Sequence, residues 1–127
     1  MHGSGRVLVV DDDESIRQFV QLALSDEGYE VLTAADGGTG LRLAADHDLD
    51  LILLDLRMPG VDGWTFVREY RQQAGEPAPI IALTAAHEPE EHAAATPVAA
   101  LLAKPFDLDD LLDLVAYHLR REEVDSQ

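Results

Sequence analysis

The sequence contains no cysteine and a single tryptophan. It has only nine lysines and arginines but 25 aspartates and glutamates. Without cysteine there are no disulfides and no thiolate metal sites. The formal net charge of −16 disfavours direct binding to nucleic acid or to an anionic membrane, because phosphate groups repel it. No apolar run approaches the ~20 residues of a membrane span, and the N-terminus lacks the apolar core of a signal peptide. A cytoplasmic protein is therefore expected.

The 127 residues fit one domain that is large enough to bury a hydrophobic core. We assign residues 6–121 to this domain, residues 1–5 to an N-terminal extension or cloning remnant, and residues 122–127 to an acidic tail. No linker, repeat or low-complexity segment divides the chain.

Five short apolar segments alternate with segments of helical periodicity. The predicted strands are residues 7–10, 29–34, 51–54, 79–83 and 98–103, and most of them are continuous apolar runs of the kind found in buried strands. Aspartates stand where helices begin, at Asp13, Asp36, Asp62 and Asp107, and Gly28 stands where the first helix ends. Strand–helix alternation predicts a doubly wound α/β fold, a five-stranded parallel sheet with five helices on both faces.

Polar side chains cluster at the ends of four predicted strands. Asp11, Asp12 and Asp13 follow the first strand, Asp55 follows the third, and Thr84 and Lys104 end the fourth and fifth. The carboxyl ends of parallel strands lie at one edge of the sheet, where open α/β sheets bind ligands. Neighbouring carboxylates suit a hard divalent cation such as Mg²⁺. With a lysine and a hydroxyl they form a site for a phosphoryl group, which an aspartate can accept as nucleophile.

Four motifs in this order carry a resemblance to a known family: "VLVVDDD", "LILLDLRMPGVDGW", "IIALTA" and "AKPF". Over residues 6–121 the chain resembles the receiver domain of two-component response regulators. The resemblance implies a flavodoxin-like sheet with strand order 2-1-3-4-5. It also implies a signalling switch that is phosphorylated by a histidine kinase or a histidine phosphotransfer protein and then acts on a downstream protein partner.

The resemblance implies a role for each residue that matches a family motif. Asp55 matches the phosphoacceptor. Asp12 matches the direct Mg²⁺ ligand, Asp11 its neighbour that acts through water, and the backbone carbonyl of Arg57 a third metal contact. Thr84 matches the switch hydroxyl and Lys104 the lysine that pairs with the phosphoryl group. Pro105 matches a position that follows a cis peptide bond. Phosphotransfer and later dephosphorylation would be autocatalytic, so the domain is not expected to be a conventional enzyme.

The chain departs from the family pattern around its switch. The family usually has an aromatic residue three positions before the lysine, where this chain has Leu101. A leucine can pack inward there at modest rotamer cost and need not change sides when Thr84 moves. Pro89 and Pro97 interrupt the segment before the fifth strand, so a short or irregular fourth helix is expected there. Phosphorylation is then expected to order or shift residues 87–97 more than to move Leu101.

Two other functions are open at this stage. "VLVVDDDES" also matches the D-x-D-x-[S/T] pattern of haloacid-dehalogenase-like phosphatases, with Asp11 as nucleophile and Asp13 as acid/base. A receiver-like interaction module that is not phosphorylated is the other alternative. We expect either a stand-alone receiver or a receiver cut from a larger regulator, as a monomer or weak dimer.

Overall fold

The computed structural model describes residues 5–58, 60, 62–85 and 98–125. Within these residues it contains five strands and four helices: β1 (Arg6–Val10), α1 (Glu14–Asp26), β2 (Glu30–Ala34), α2 (Gly37–Asp46), β3 (Leu51–Asp55), α3 (Gly63–Gln73), β4 (Ile80–Ala85), β5 (Ala100–Lys104) and α4 (Leu108–Asp125). Five helices were expected. The one expected between β4 and β5 lies outside the described residues, as does the segment 87–97 in which the switching movement was expected.

The five strands form one parallel sheet in the order β2-β1-β3-β4-β5, which confirms the predicted architecture. The central strands are in close register, with Val10 beside both Ala34 of β2 and Leu54 of β3. Chain order reverses at β1, because β2 lies on one side of it and β3 on the other. The crevice at this reversal is where doubly wound sheets bind ligands.

Helices cover both faces of the sheet, so alternate residues of each central strand enter different cores. Leu8, Val10, Ile52 and Leu54 pack with Phe66 in the core beneath α2 and α3. Their neighbours Val7, Val9, Leu51 and Leu53 pack beneath α1 and α4, with Val20, Leu24, Leu111 and Val115. Burial on both faces explains why these strands are continuous apolar runs in the sequence.

The helix boundaries follow the predicted capping residues. The carboxylate of Asp13 accepts hydrogen bonds from the amides of Ser15 and Ile16 at the start of α1, and Asp36 and Asp62 cap α2 and α3 in the same way. Gly28 ends α1 with φ of 97°, a conformation that glycine adopts without steric cost. The chain after β1, β2 and β3 therefore enters the next helix at a capped position, which restrains the residues at the ends of these strands.

The fourth and fifth strands differ from the prediction in their bounds. β4 continues to Ala85, so Thr84 lies inside the strand, and β5 starts at Ala100, two residues later than predicted. Leu101, for which inward packing was considered, is 42% exposed. Residues alternate along β5, and Ala100 and Leu102 occupy the core on the α1 and α4 face, which turns Leu101 to the opposite face.

Candidate functional site

Four residues predicted for the site come together at the carboxyl edge of the sheet. Asp11 directly follows β1, Asp55 is the last residue of β3, Thr84 is in β4 and Lys104 ends β5. These four strands are consecutive neighbours in the sheet, so residues far apart in sequence share one edge. The sheet order thus assembles the groups that the strand-end pattern indicated.

Three carboxylates form the acidic part of this edge. Asp11, Asp12 and Asp55 each offer an oxygen, and these oxygens lie within 4.8 Å of one another. Asp11 is fully buried, Asp55 is 7% exposed, and Asp12 is on the surface. The cluster therefore consists of two buried carboxylates and one exposed carboxylate.

The Lys104 side chain supplies positive charge to the two buried carboxylates. Its Nζ lies 2.9 Å from Oδ2 of Asp11 and 3.4 Å from Oδ2 of Asp55. Burial lowers the pKa of Lys104, but the contact with Asp11 and the charges of Asp11 and Asp55 outweigh it, so the pKa lies above its ordinary value. The lysine is therefore charged at neutral pH.

Asp55 is held in an environment that disfavours its charge. Burial is the main cause, and it raises the pKa of Asp55 from the ordinary 3.8 to about 6, with a further contribution from the charge of Asp11. The backbone amide of Arg57, which donates to Oδ1 of Asp55 over 3.0 Å, and the Lys104 ammonium act in the opposite direction. Asp55 is thus mostly ionised at pH 7 but destabilised as an anion.

Asp11 is restrained through its backbone and through one carboxylate oxygen. Its amide donates to the carbonyl of Ala34, and its Oδ1 accepts a hydrogen bond of 2.9 Å from the amide of Asp13. Oδ2 is buried and lies 2.9 Å from the Lys104 ammonium, which is its ion-pair partner. Both oxygens of this buried carboxylate therefore have a polar partner inside the protein.

The remaining predicted residues lie around this cluster. Thr84, 8% exposed, directly follows Leu83, the β4 residue in register with Asp55. The peptide bond between Lys104 and Pro105 is cis. Leu101 is in register with Ala82, which lies two residues before Thr84 on β4. The side chains of Leu101 and Thr84 therefore lie on the same face of the sheet.

The Asp13 carboxylate does not join the cluster. Its Oδ1 accepts from the amides of Ser15 and Ile16 as the N-cap of α1. The phosphatase alternative requires Asp13 to act as an acid/base beside Asp11. The helix cap directs this carboxylate to the helix amides instead.

Two residues at the site were not identified from the sequence. The guanidinium of Arg17 donates to the main-chain oxygen of Asp11 over 2.7 Å, and Gly63 packs against the backbone that follows Asp55. The available signals were weak: an arginine one turn after a capping aspartate, and a glycine at the first position of a helix. Neither implies a tertiary contact by itself.

Comparison with known proteins agrees with this geometry. Residues 7–116 match the response regulator receiver domain family. The chain belongs to this family. The receiver is 37% identical over 119 residues to response regulator ArlR of Staphylococcus aureus, an alignment that covers 92% of this chain and 53% of ArlR. The chain thus spans about half the length of the curated relatives it matches.

Solved receiver structures are similar over nearly the whole chain. Chemotaxis protein CheY4 of Vibrio cholerae is 40% identical with a TM-score of 0.81, covering 89% of this chain and 97% of its own. The receiver domain of sensor histidine kinase PA1611 from Pseudomonas aeruginosa is 32% identical with a TM-score of 0.84, covering 92% and 98%. The latter structure has a magnesium ion coordinated in its active-site cleft.

Membership in this family places the protein among the response regulator receiver domains of two-component systems. None of the helices in the described ranges is both long and apolar enough to span a bilayer.

Proposed function

We propose that the receiver accepts a phosphoryl group on Asp55 from a histidine kinase or a histidine phosphotransfer protein. The observation that carries this proposal is the position of Asp55 within 4.8 Å of the oxygens of Asp11 and Asp12, with the Lys104 ammonium 3.4 Å from its Oδ2. A carboxylate that is raised in free energy by burial and like charge gains stabilisation when its charge is moved outward onto a phosphoryl group beside a cation.

The residues of the cluster fit a bound Mg²⁺. This ion prefers one or two carboxylates and retains several waters, and the site offers two buried carboxylates and a third, that of Asp12, on the surface. Asp12 and Asp55 would bind it directly, Asp11 through water, and the Arg57 carbonyl would complete the protein ligands. When bound, Mg²⁺ neutralises charge on the transferring phosphoryl oxygens.

The side chains of the receiver supply the rest of the reaction. One oxygen of the Asp55 carboxylate attacks phosphorus and forms the new P–O bond, while the P–N bond of phosphohistidine breaks and its electron pair stays on the imidazole. Lys104 contacts a phosphoryl oxygen with its ammonium, and the Thr84 hydroxyl donates to another. Hydrolysis reverses the modification when water attacks phosphorus and the P–O bond to Asp55 breaks, releasing inorganic phosphate and restoring the carboxylate.

The output follows from the added charge. A phosphoryl group on Asp55 brings negative charge and strong acceptors to the end of β3, next to Thr84 on β4. Movement of Thr84 toward the new oxygens would alter the neighbouring surface, which a downstream protein partner reads. We assign this activity to residues 6–121 acting in the cytoplasm.

Phosphorylation with acetyl phosphate, measured by intact mass, tests the proposal. The wild type should gain one phosphoryl group only when Mg²⁺ is present, and Asp55→Asn should gain none. Asp26→Asn, which removes an exposed carboxylate at the end of α1, is the matched control and should behave as wild type.

Two outcomes would support other functions. Phosphorylation of Asp55→Asn at the wild-type rate, with the label on Asp11 or Asp13, would favour the phosphatase. A folded wild type that gains no phosphoryl group from acetyl phosphate or from a kinase would favour the unphosphorylated interaction module.

A further inference from the structure

The guanidinium of Arg17 hydrogen-bonds to a backbone carbonyl although several carboxylates are close to it in sequence. It lies in α1, one turn after four consecutive acidic residues at positions 11–14. Its Nη1 donates to the main-chain oxygen of Asp11 over 2.7 Å in a half-buried position. Within the part of the chain that the structure describes, its guanidinium forms no ion pair with a carboxylate. The cation therefore binds a neutral carbonyl although acidic residues precede it in sequence.

This carbonyl belongs to the peptide that connects Asp11 to Asp12. Because a peptide unit is planar, fixing the Asp11 oxygen also fixes the amide and Cα of Asp12. The Asp11 amide is already bound to Ala34, and its Oδ1 to the Asp13 amide. Arg17 holds the one remaining polar group of the Asp11 main chain, and Val20 and Leu24, fully buried, anchor α1 itself.

We propose that Arg17 is a positioning residue for the divalent-cation site. It holds the Asp11–Asp12 peptide in the orientation that places the Asp12 carboxylate within 4.8 Å of the Asp11 and Asp55 oxygens. Asp12 is exposed, so its position depends strongly on the peptide that joins it to the buried Asp11. The inference rests on the Mg²⁺ site of the proposed function.

The positioning role and a purely electrostatic role of Arg17 predict opposite changes in Mg²⁺ affinity when its side chain is replaced. A guanidinium near a cation site repels the cation, so loss of its charge alone would tighten Mg²⁺ binding. Loss of the hydrogen bond instead frees the Asp11–Asp12 peptide and weakens binding. The sign of the change in the dissociation constant therefore distinguishes the two roles.

Calorimetric titration of the unphosphorylated protein with Mg²⁺ measures this sign. Arg17→Met keeps the apolar stem but removes the donor and the charge, and it should bind Mg²⁺ about 10-fold more weakly, the low end for groups that orient metal ligands. Arg17→Lys keeps a donor and the charge and should restore most of the affinity. Arg42→Ala removes an exposed arginine of α2 and should not weaken binding.

Amide hydrogen exchange supplies a second measurement that does not depend on the metal. The Asp13 amide, which donates to Asp11 Oδ1, should exchange faster in Arg17→Met, while the Ile52 amide in the sheet should be unchanged. If Arg17→Met does not fold, Arg17→Leu, which also lacks the donor and the charge, makes the same comparison.

Unchanged or tighter Mg²⁺ binding in a folded Arg17→Met protein would overturn the positioning role and leave the proposed function intact. A wild type that binds no Mg²⁺ would instead overturn the metal site of the proposed function, and the role of Arg17 with it.

Discussion

Lys104 lies closer to Asp11 than to Asp55, with its Nζ 2.9 Å from Oδ2 of Asp11 and 3.4 Å from Oδ2 of Asp55. The ammonium is thus nearer to the fully buried Asp11, and the pKa of Asp55 remains raised to about 6 although Lys104 acts to lower it. The lysine pairs with both carboxylates, yet burial still destabilises Asp55 as an anion.

Removal of the lysine charge should affect both folding and phosphorylation. Lys104→Ala leaves the buried Asp11 carboxylate without its ion-pair partner, and we expect the free energy of unfolding to fall by about 2 kcal/mol. Phosphorylation by acetyl phosphate should slow by about 10²-fold or more, because a cation at the phosphoryl oxygens is lost. Urea unfolding and intact mass measure the two effects. Phosphorylation of a folded Lys104→Ala protein at the wild-type rate would exclude a role for this lysine.

Neutralisation of Asp55 should stabilise the metal-free protein at neutral pH. The pKa of Asp55 is higher in the folded state (about 6) than its ordinary 3.8, so the folded state binds the proton more tightly. Its contribution to stability therefore falls as pH rises from about 4 to about 6. Asp55→Asn avoids this loss, and we expect its free energy of unfolding at pH 7 to exceed that of wild type by about 1 to 2 kcal/mol.

Denaturant unfolding in EDTA at pH 4 and pH 7 measures this difference. The advantage of Asp55→Asn should largely disappear at pH 4, where Asp55 is protonated in the folded wild type. An advantage that is equal at both pH values would show that it does not come from the charge of Asp55.

A side chain at Gly63 should disturb the loop that follows Asp55. A Cβ at this position would lie 2.5 Å from Cα of Leu56 and 3.1 Å from the carbonyl oxygen of Asp55, so backbone has to move. We expect Gly63→Ala to lower the free energy of unfolding by about 3 kcal/mol. Gly75→Ala is the control, since its Cβ would have no atom within 4 Å. Equal stability of the two variants in thermal unfolding would disprove this steric explanation.

The hydroxyl of Thr84 should contribute more to the rate of phosphorylation than its methyl group does. Thr84→Ala removes the donor next to the site, and we expect phosphorylation by acetyl phosphate to slow by about 10-fold. Thr84→Ser keeps the hydroxyl and should stay within about 3-fold of wild type. If Ala and Ser variants are slowed equally, the lost methyl group, and not the hydroxyl, is responsible.

The five strands and the starts of three helices could be predicted from the sequence, because local rules determine them. Continuous apolar runs predicted the strands, and Asp13, Asp36 and Asp62 marked the helix starts through hydrogen bonds to amides a few residues away. Parallel strands share a carboxyl edge, so the clustering of Asp11, Asp55, Thr84 and Lys104 also followed from their places at strand ends. These inferences need only the position of a residue within its own element.

Contacts between elements were decided by the tertiary structure. The pairing of Lys104 with Asp11, the bond from Arg17 to the Asp11 carbonyl and the close approach of Gly63 to Leu56 depend on how strands and helices pack in three dimensions. The exposure of Leu101 was decided in the same way: strand alternation places it opposite Ala100 and Leu102, and only the packing of other elements determines how much of it is covered. Sequence periodicity places a side chain on a face, but only the packing of the other elements determines what that face meets.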